Sequence, residues 1–94
     1  MKIDHIALVV ENPKEAAQWY SEKFGANILY ADETWSFIEF DNVKMAFVIE
    51  SQHPAHVAFE DPELEGGKLH RDGTKSTYKK DPFGNFIEFI KYPD

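Results

Sequence analysis

The feature that most constrains the fold of this chain is a short internal repeat. The segment His5-Ile6-Ala7-Leu8 near the start returns as His56-Val57-Ala58-Phe59 past the middle, with a His, a β-branched residue, an Ala and a large apolar residue in the same order. The segment Phe37-Ile38-Glu39-Phe40 returns letter for letter as Phe86-Ile87-Glu88-Phe89. Self-similarity of this kind indicates repeated structural units. We therefore expect two related modules about a pseudo-twofold axis, with the two histidines on equivalent strands that face one cavity.

The first half predicts a strand, a helix and three further strands. Residues 3–10 alternate and are rich in β-branched types, which is typical of a strand. A helix should follow, because Asn12 can cap its N-terminus, Pro13 suits the first helical position and Gly25 suits the stop. Its buried stripe is expected to contain Ala16, Ala17, Tyr20 and Phe24. The three strands are predicted at Asn27 to Ala31, Trp35 to Phe40 and Val43 to Ile49.

The second half repeats the strands but not the helix. Residues 60–67 contain one large apolar residue and two glycines, which are too few apolar positions for an amphipathic helix, so we predict a loop. Strands are expected to resume around Lys68 to Arg71, Thr74 to Lys80 and Phe86 to Tyr92. The predicted fold is therefore α+β, a single domain over residues 1–94 in which module one spans about 1–50 and a reduced module two about 53–92.

Composition excludes several classes of partner and site. The chain has 94 residues and a net charge of -7, so its surface should repel nucleic acid and anionic membrane surfaces. It contains no cysteine, so a metal would have to be held by nitrogen and oxygen atoms. The first ten residues include Asp4 and His5 within a short apolar stretch, which fits neither a signal peptide nor a membrane span. We expect a cytoplasmic protein.

A carboxylate stands among apolar residues near the C-terminus. Glu88 lies between Ile87 and Phe89, and a carboxylate on an inward strand face is costly unless something neutralises it. The histidines of the repeat, His5 and His56, would complete a set of two imidazoles and one carboxylate, which suits a divalent metal with open positions. A cation would neutralise Glu88, and the alanines two residues beyond each His would leave room around it.

Several of these segments together resemble the glyoxalase, bleomycin-resistance and extradiol-dioxygenase superfamily, also called the vicinal oxygen chelate fold. They are the opening DHIALVV, the helix end WYSEKFG, the strand HVAFE and above all YKKDPFGNFIEF. The resemblance implies paired βαβββ modules whose sheets curl round a metal and substrate cleft. It also implies that His5, His56 and Glu88 are metal ligands, with Ni, Zn, Mn or Fe as the cation.

The chain departs from the family pattern in two places. Glyoxalase I enzymes have a fourth ligand, a Glu, on the last strand of the first module, where this chain offers Lys44, Met45 or Ala46. Asp41 and Asn42 are expected to form a two-residue hairpin turn between the strands Trp35 to Phe40 and Val43 to Ile49. Counted from this hairpin, Met45 is the residue expected opposite Glu88. Glu39 is a rival candidate for a ligand or catalytic acid/base, although it falls one strand too early. The second departure is the missing helix, whose place a second copy in a homodimer could take.

Two functions from different classes remain open at this point. In the first, the protein is a metal-dependent lyase, isomerase or dioxygenase that acts on a small oxygen-bearing substrate through the His/His/Glu site. In the second, it is a metal-free small-molecule binding protein of the bleomycin-resistance type, with an aromatic-lined groove and no catalysis. The aromatic residues make up 15% of the chain, enough for either reading.

Overall fold

The computed structural model describes all 94 residues, Met1 to Asp94. It contains one helix and eight strands: β1 Lys2–Val9, α1 Pro13–Phe24, β2 Asn27–Ala31, β3 Trp35–Glu39, β4 Lys44–Val48, β5 His56–Glu60, β6 Lys68–Leu69, β7 Lys75–Lys80 and β8 Phe86–Lys91. The predicted elements are present in the predicted order. No helix is long and apolar enough to span a membrane.

The strands form one sheet whose order reveals two related halves. The order is β2-β3-β4-β1-β5-β8-β7-β6, in which β1 is parallel to β4, β5 is parallel to β8, and β1 and β5 meet antiparallel at the centre. In that central pair His5 lies opposite Ala58, and Ala7 lies opposite His56. This crosswise pairing confirms that the His-x-Ala repeat marks equivalent strands of two modules.

The second repeat has no such structural counterpart. Glu39 lies on β3, which corresponds to β7, whereas Glu88 lies on β8, which corresponds to β4. The identical tetrapeptides around these two residues therefore occupy non-equivalent strands.

The sheet curves so that its two ends face one cavity. Trp35 on β3 and Tyr78 on β7 are far apart in the strand order, yet both line the same cavity with residues of the central strands. This is the predicted α+β fold of paired modules around a cleft, with a second module that lacks its helix. The division of the chain near residues 50–53 stays a prediction, and it falls in the connection between β4 and β5.

Helix α1 covers the outer face of the first module. Asn12 caps it by accepting a hydrogen bond from the Glu15 amide at 3.1 Å, and Gly25, at a φ of 77°, ends it. Ala17 packs with Ile38 and Phe47 of the sheet, and all three are fully buried. Burial of each of the two large side chains contributes about 1.5–3 kcal/mol to the free energy of folding.

The prediction that Phe24 is buried was wrong. Its side chain is 59% exposed, and its ring lies against Trp19 and Tyr20 with centroid distances of 5.7 Å. The 3.6-residue period aligns Phe24 with Tyr20, but the helix ends at this residue. The Phe24 ring therefore packs with Trp19 and Tyr20 at the surface and does not enter the core.

The second module has no helix on its outer face. Because His56 and Glu88 face the cavity, the alternate residues of β5 and β8 face outward, and these are Val57, Phe59, Ile87 and Phe89, all half-buried. The rings of Phe59 and Phe89 lie 6.2 Å apart, and the Lys79 ammonium lies 6.0 Å from the Phe89 ring. Aromatic packing and a lysine thus replace part of the missing cover.

Candidate metal centre

Three adjacent strands at the middle of the sheet bring His5, His56 and Glu88 together. One ligand atom from each lies within 4.8 Å of the other two, and all three residues are buried. The Nε2 atoms of His5 and His56 lie 3.2 and 3.4 Å from the same oxygen, Oε1 of Glu88. The residues selected from the sequence as metal ligands therefore converge on one point.

A β-bulge in β1 adds a residue that the sequence pattern did not indicate. The pairing of β1 with β5 shifts between Ile3 and His5, so Asp4 does not alternate to the opposite face. Its carboxylate lies in the cavity wall and accepts a hydrogen bond from Nδ1 of His5 at 2.7 Å. Two consecutive residues thus serve the same site, which a strict period of two excludes.

Asp4 is itself held by two further groups from distant parts of the chain. Its second oxygen accepts a hydrogen bond from the Tyr92 hydroxyl at 2.6 Å, and the Lys44 ammonium lies 3.3 Å away. Burial works against the charge, but the hydrogen bonds from His5 and Tyr92 outweigh it and lower the pKa of Asp4. The same contacts act on Tyr92, where burial and the bond to Asp4 raise the pKa to about 12. Asp4 is therefore an ionised acceptor that fixes His5.

Hydrogen bonding determines which nitrogen of each imidazole faces the cavity. Nδ1 of His56 lies 2.8 Å from the carbonyl oxygen of Pro54, and Nδ1 of His5 faces the Asp4 carboxylate. Because both partners can only accept, we infer that both Nδ1 atoms carry hydrogen. In the neutral imidazoles both Nε2 atoms then carry no hydrogen, and their lone pairs point toward Glu88. A metal-binding histidine in proteins is oriented in this way.

The cluster requires a positive charge at its centre. Two bare nitrogens and a carboxylate oxygen repel one another at 3.2 to 3.4 Å, so either a proton on His5 or a metal cation must lie among them. Burial opposes the charge on His5 and the charge on Glu88. The carboxylates of Asp4 and Glu88, which accept hydrogen bonds from a protonated His5, nevertheless raise the pKa of His5, and hydrogen bonding to the two histidines lowers the pKa of Glu88 well below its usual range. Two imidazoles and one ionised carboxylate fit a first-row divalent metal.

The motif near the C-terminus positions Glu88 through a tight turn. Asp81 accepts hydrogen bonds from the backbone amides of Phe83 and Asn85 at 2.8 and 2.9 Å, and Gly84 adopts a φ of 88°. The turn starts β8 at Phe86, so that the third residue of this strand, Glu88, points inward beside Ala58. The role of the motif is to fix the register of the carboxylate.

The cavity in front of the three residues has a volume of about 550 Å³, within the usual range for small-molecule sites. Aromatic side chains from both modules form much of its wall: Trp35, Phe37, Tyr78 and Tyr92. The Tyr78 hydroxyl lies 3.5 Å from Nε2 of His56, and its ring stands edge-on to that imidazole. Sequence patterns indicated Tyr78 only as a strand aromatic and gave no role to His53, which also lines the cavity.

The two rival candidates for a further ligand lie elsewhere. Met45 packs against the core cluster that contains Ala17, whereas its neighbour Ala46 lines the cavity. The pairing of Ala7 with Ala46 matches the pairing of Ala58 with Glu88, so Ala46, not Met45, occupies the position equivalent to Glu88. The alignment from the hairpin was therefore wrong by one residue, because the register of β4 is set by its parallel pairing with β1.

Glu39 does not lie beside His5, His56 and Glu88. It is exposed at the end of β3 and lines a neighbouring groove that shares Asp4, Lys44 and Tyr92 with the cavity. Its cross-strand neighbour Lys44 pairs with Asp4 instead. The part of Glu39 in catalysis stays a prediction.

Solved structures with the same fold have differing enzymatic names and low sequence identity. A methylmalonyl-CoA epimerase from Streptomyces coelicolor, in complex with 2-nitronate-propionyl-CoA, has a TM-score of 0.77 at 12% identity and covers 100% of this chain and 99% of that one. Another methylmalonyl-CoA epimerase has a TM-score of 0.72 at 18% identity, covering 100% and 97%. An NAD-dependent benzaldehyde dehydrogenase from Legionella pneumophila has a TM-score of 0.71 at 8% identity, covering 95% and 98%. These similarities establish the fold alone.

Sequence comparison identifies the family. No curated protein matches the chain. The family model of the Glyoxalase/Bleomycin resistance protein/Dioxygenase superfamily matches residues 2–71, well over half of the sequence, including His5 and His56. The chain belongs to the glyoxalase/bleomycin resistance protein/dioxygenase superfamily.

Proposed function

We propose that the protein is a divalent-metal-dependent enzyme that acts on a small oxygen-bearing substrate. The observation that carries this proposal is the convergence of His5, His56 and Glu88 on one point in the wall of an aromatic-lined cavity. The acceptors behind the two histidines, Asp4 and the Pro54 carbonyl, are of the kind that orient metal-binding imidazoles. A divalent cation held there would act as a Lewis acid toward neighbouring oxygens of the substrate.

Other side chains of the cavity would accept a proton, hydrogen-bond to the substrate and exclude water. Burial, followed by the influence of His56, lowers the pKa of His53, so this imidazole is neutral near pH 7 and able to accept a proton. Burial and Glu88 raise the pKa of Tyr78, so its hydroxyl stays protonated and can donate a hydrogen bond to the substrate. The rings of Trp35 and Phe37 exclude water from an apolar substrate portion.

Among lyase, isomerase and dioxygenase reactions, the donor set favours a dioxygenase. With Ala46 at the position equivalent to Glu88, the centre has three protein ligands rather than four. Two histidines and one carboxylate with open positions form the facial set of non-haem ferrous oxygenases. The dioxygenase reaction is tested by measuring oxygen uptake by protein loaded with ferrous iron in the presence of catechol. Turnover of catechol without oxygen uptake would contradict it.

The metal itself is tested by calorimetric titration of chelator-stripped protein at pH 7.5 with nickel, manganese, zinc and anaerobic ferrous iron. We expect one equivalent to bind the wild type and none to bind His56→Ala, because two ligands do not hold a cation at micromolar concentration. Circular dichroism shows whether the variant keeps its fold. A wild type that binds no metal would contradict the proposal of a metal-dependent enzyme. It would favour the alternative of a metal-free small-molecule binding protein, whose ligand affinity His56→Ala should not change.

The pH dependence of stability provides a separate prediction. A group whose pKa is raised on folding stabilises the fold below its unfolded pKa and loses that contribution as the pH rises through the folded pKa. His5 has its pKa raised from 6.5. Metal-stripped protein should therefore lose stability as the pH rises above 6.5, whereas zinc-loaded protein should not, since the cation replaces the proton. Thermal melts between pH 6 and 9, with and without zinc, check this, and parallel curves contradict it.

We also propose a homodimer in which a second copy covers the outer face of the second module. The half-buried residues Val57, Phe59, Ile87 and Phe89 form that face, and a single core of 94 residues is marginal on its own. Light scattering after gel filtration measures the molar mass, and a value near the 10.9 kDa of one chain would exclude the dimer.

A further inference from the structure

Arg71 is the one arginine of the chain, and it lines the cavity that contains the metal-binding cluster. No carboxylate lies within ion-pairing distance of its guanidinium, although the chain has 17 acidic residues. The other cation of the cavity wall, Lys44, is already paired with Asp4 and hydrogen-bonded to Tyr92 at 3.0 Å. Arg71 is therefore the free cation of this cavity.

The turn that carries Arg71 is built without using its side chain. The backbone amide of His70 bonds to the Thr74 carbonyl at 2.7 Å, and the Gly73 amide bonds to the His70 carbonyl at 3.0 Å. The adjacent carboxylate, Asp72, accepts hydrogen bonds from the amide and hydroxyl of Thr74 at 3.0 and 2.7 Å. Asp72 is thus engaged within the turn and not with the guanidinium. The backbone beneath Arg71 is fixed while its charge is left available.

The charges of the cavity wall also favour an anionic ligand once a metal is bound. Asp4, Asp72 and Glu88 are its carboxylates, and Lys44 and Arg71 are its permanent cations. A divalent cation at the cluster, in place of a proton on His5, would make this balance positive. The metal-loaded cavity would thus be positive although the whole chain has a net charge of -7. A positive cavity would favour the binding of an acidic small molecule.

We infer that the substrate is a small organic acid whose carboxylate pairs with Arg71 while its neighbouring oxygens face His5, His56 and Glu88. The planar guanidinium matches a carboxylate through two parallel hydrogen bonds. The aromatic side chains that line the same cavity suit a flat ring or an unsaturated chain. This inference rests on the proposed metal-dependent function and names the class of substrate for it.

The test compares two probes that differ only in a carboxylate. Zinc-loaded protein is titrated with catechol and with 3,4-dihydroxybenzoate, because zinc supports oxygen ligation without redox chemistry. We expect the carboxylated probe to bind about 10–100-fold more tightly, the range for a charged hydrogen-bonded pair. Arg71→Ala should remove this preference and leave catechol binding unchanged. Arg71→Lys should keep only part of it, since a lysine cannot form the double hydrogen bond.

The matched control is Lys75→Ala, which removes an exposed cation from the neighbouring strand β7 outside the cavity wall. It should keep the full preference for the carboxylated probe. A preference that survives in Arg71→Ala, a wild type that shows none, or a zinc-loaded protein that binds neither probe would overturn the inference. Zinc titration of each variant comes first: failure of the wild type to bind zinc overturns the metal centre itself, whereas unchanged zinc binding with no preference overturns only the role of Arg71.

Discussion

Replacing Glu88 with Gln is expected to lower the metal affinity more than 100-fold. The change keeps the size of the side chain and removes the charge of the carboxylate, whose Oε1 atom lies 3.2 and 3.4 Å from the two Nε2 atoms. An amide is a weaker ligand than a carboxylate for a divalent cation. The effect should exceed the 10–100-fold typical of losing an outer hydrogen-bond partner, because the substitution weakens a direct ligand.

Thermal unfolding measures this loss independently of any activity. A metal present at 100 times its dissociation constant stabilises the fold by about 2.7 kcal/mol, which raises Tm by roughly 10–20 °C in a domain of this size. We expect that shift in the wild type and almost none in Glu88→Gln at the same metal concentration. Equal shifts in the two proteins would exclude Glu88 as a ligand.

The second large effect is expected from Asp4→Asn, a residue that does not touch the metal position. Asn keeps an acceptor oxygen but loses the charge that fixes the orientation and protonation of His5. Metal affinity should fall 10–100-fold. The variant also leaves Lys44 without its carboxylate partner, so we expect the metal-free protein to lose stability as well.

Two companion variants separate these contributions. Tyr92→Phe removes one hydrogen bond to Asp4 and leaves the charge, so its metal affinity should fall much less than that of Asp4→Asn. Glu39→Gln removes an acid from the adjoining groove and should leave metal affinity unchanged. Calorimetric titration with zinc compares the four proteins. Wild-type affinity in Asp4→Asn would show that His5 needs no carboxylate behind it.

The repeat, the strand alternation and the helix-capping residues were sufficient to predict the strands, the helix and the three converging side chains. His5 and His56 could be placed on equivalent inward faces because each stands in the same short pattern. Glu88 could be selected because a carboxylate among apolar strand residues needs a partner. These inferences depend on local sequence, where the period of two is reliable.

Features set by contacts between distant segments could not be predicted. The bulge that turns Asp4 toward His5 leaves no mark in the alternation of β1. The choice of Ala46 over Met45 depends on how β4 pairs with β1, which a count from the preceding hairpin cannot give. Arg71 and Tyr78 acquire significance only when the curved sheet brings them to the same cavity as the cluster.

The crosswise pairing of β1 and β5 has a consequence for the folding kinetics. The first module alone contains His5 but neither of the other two proposed ligands, which are joined to it only when β5 and β8 add to the sheet. Contacts between segments so far apart in sequence require the closure of a long loop, so we expect them to form late in folding. A cation would therefore bind after the main barrier is crossed, and it should slow unfolding while leaving the rate of folding nearly unchanged. In a cell, the metal would therefore stabilise the protein after it has folded and would not help to start folding.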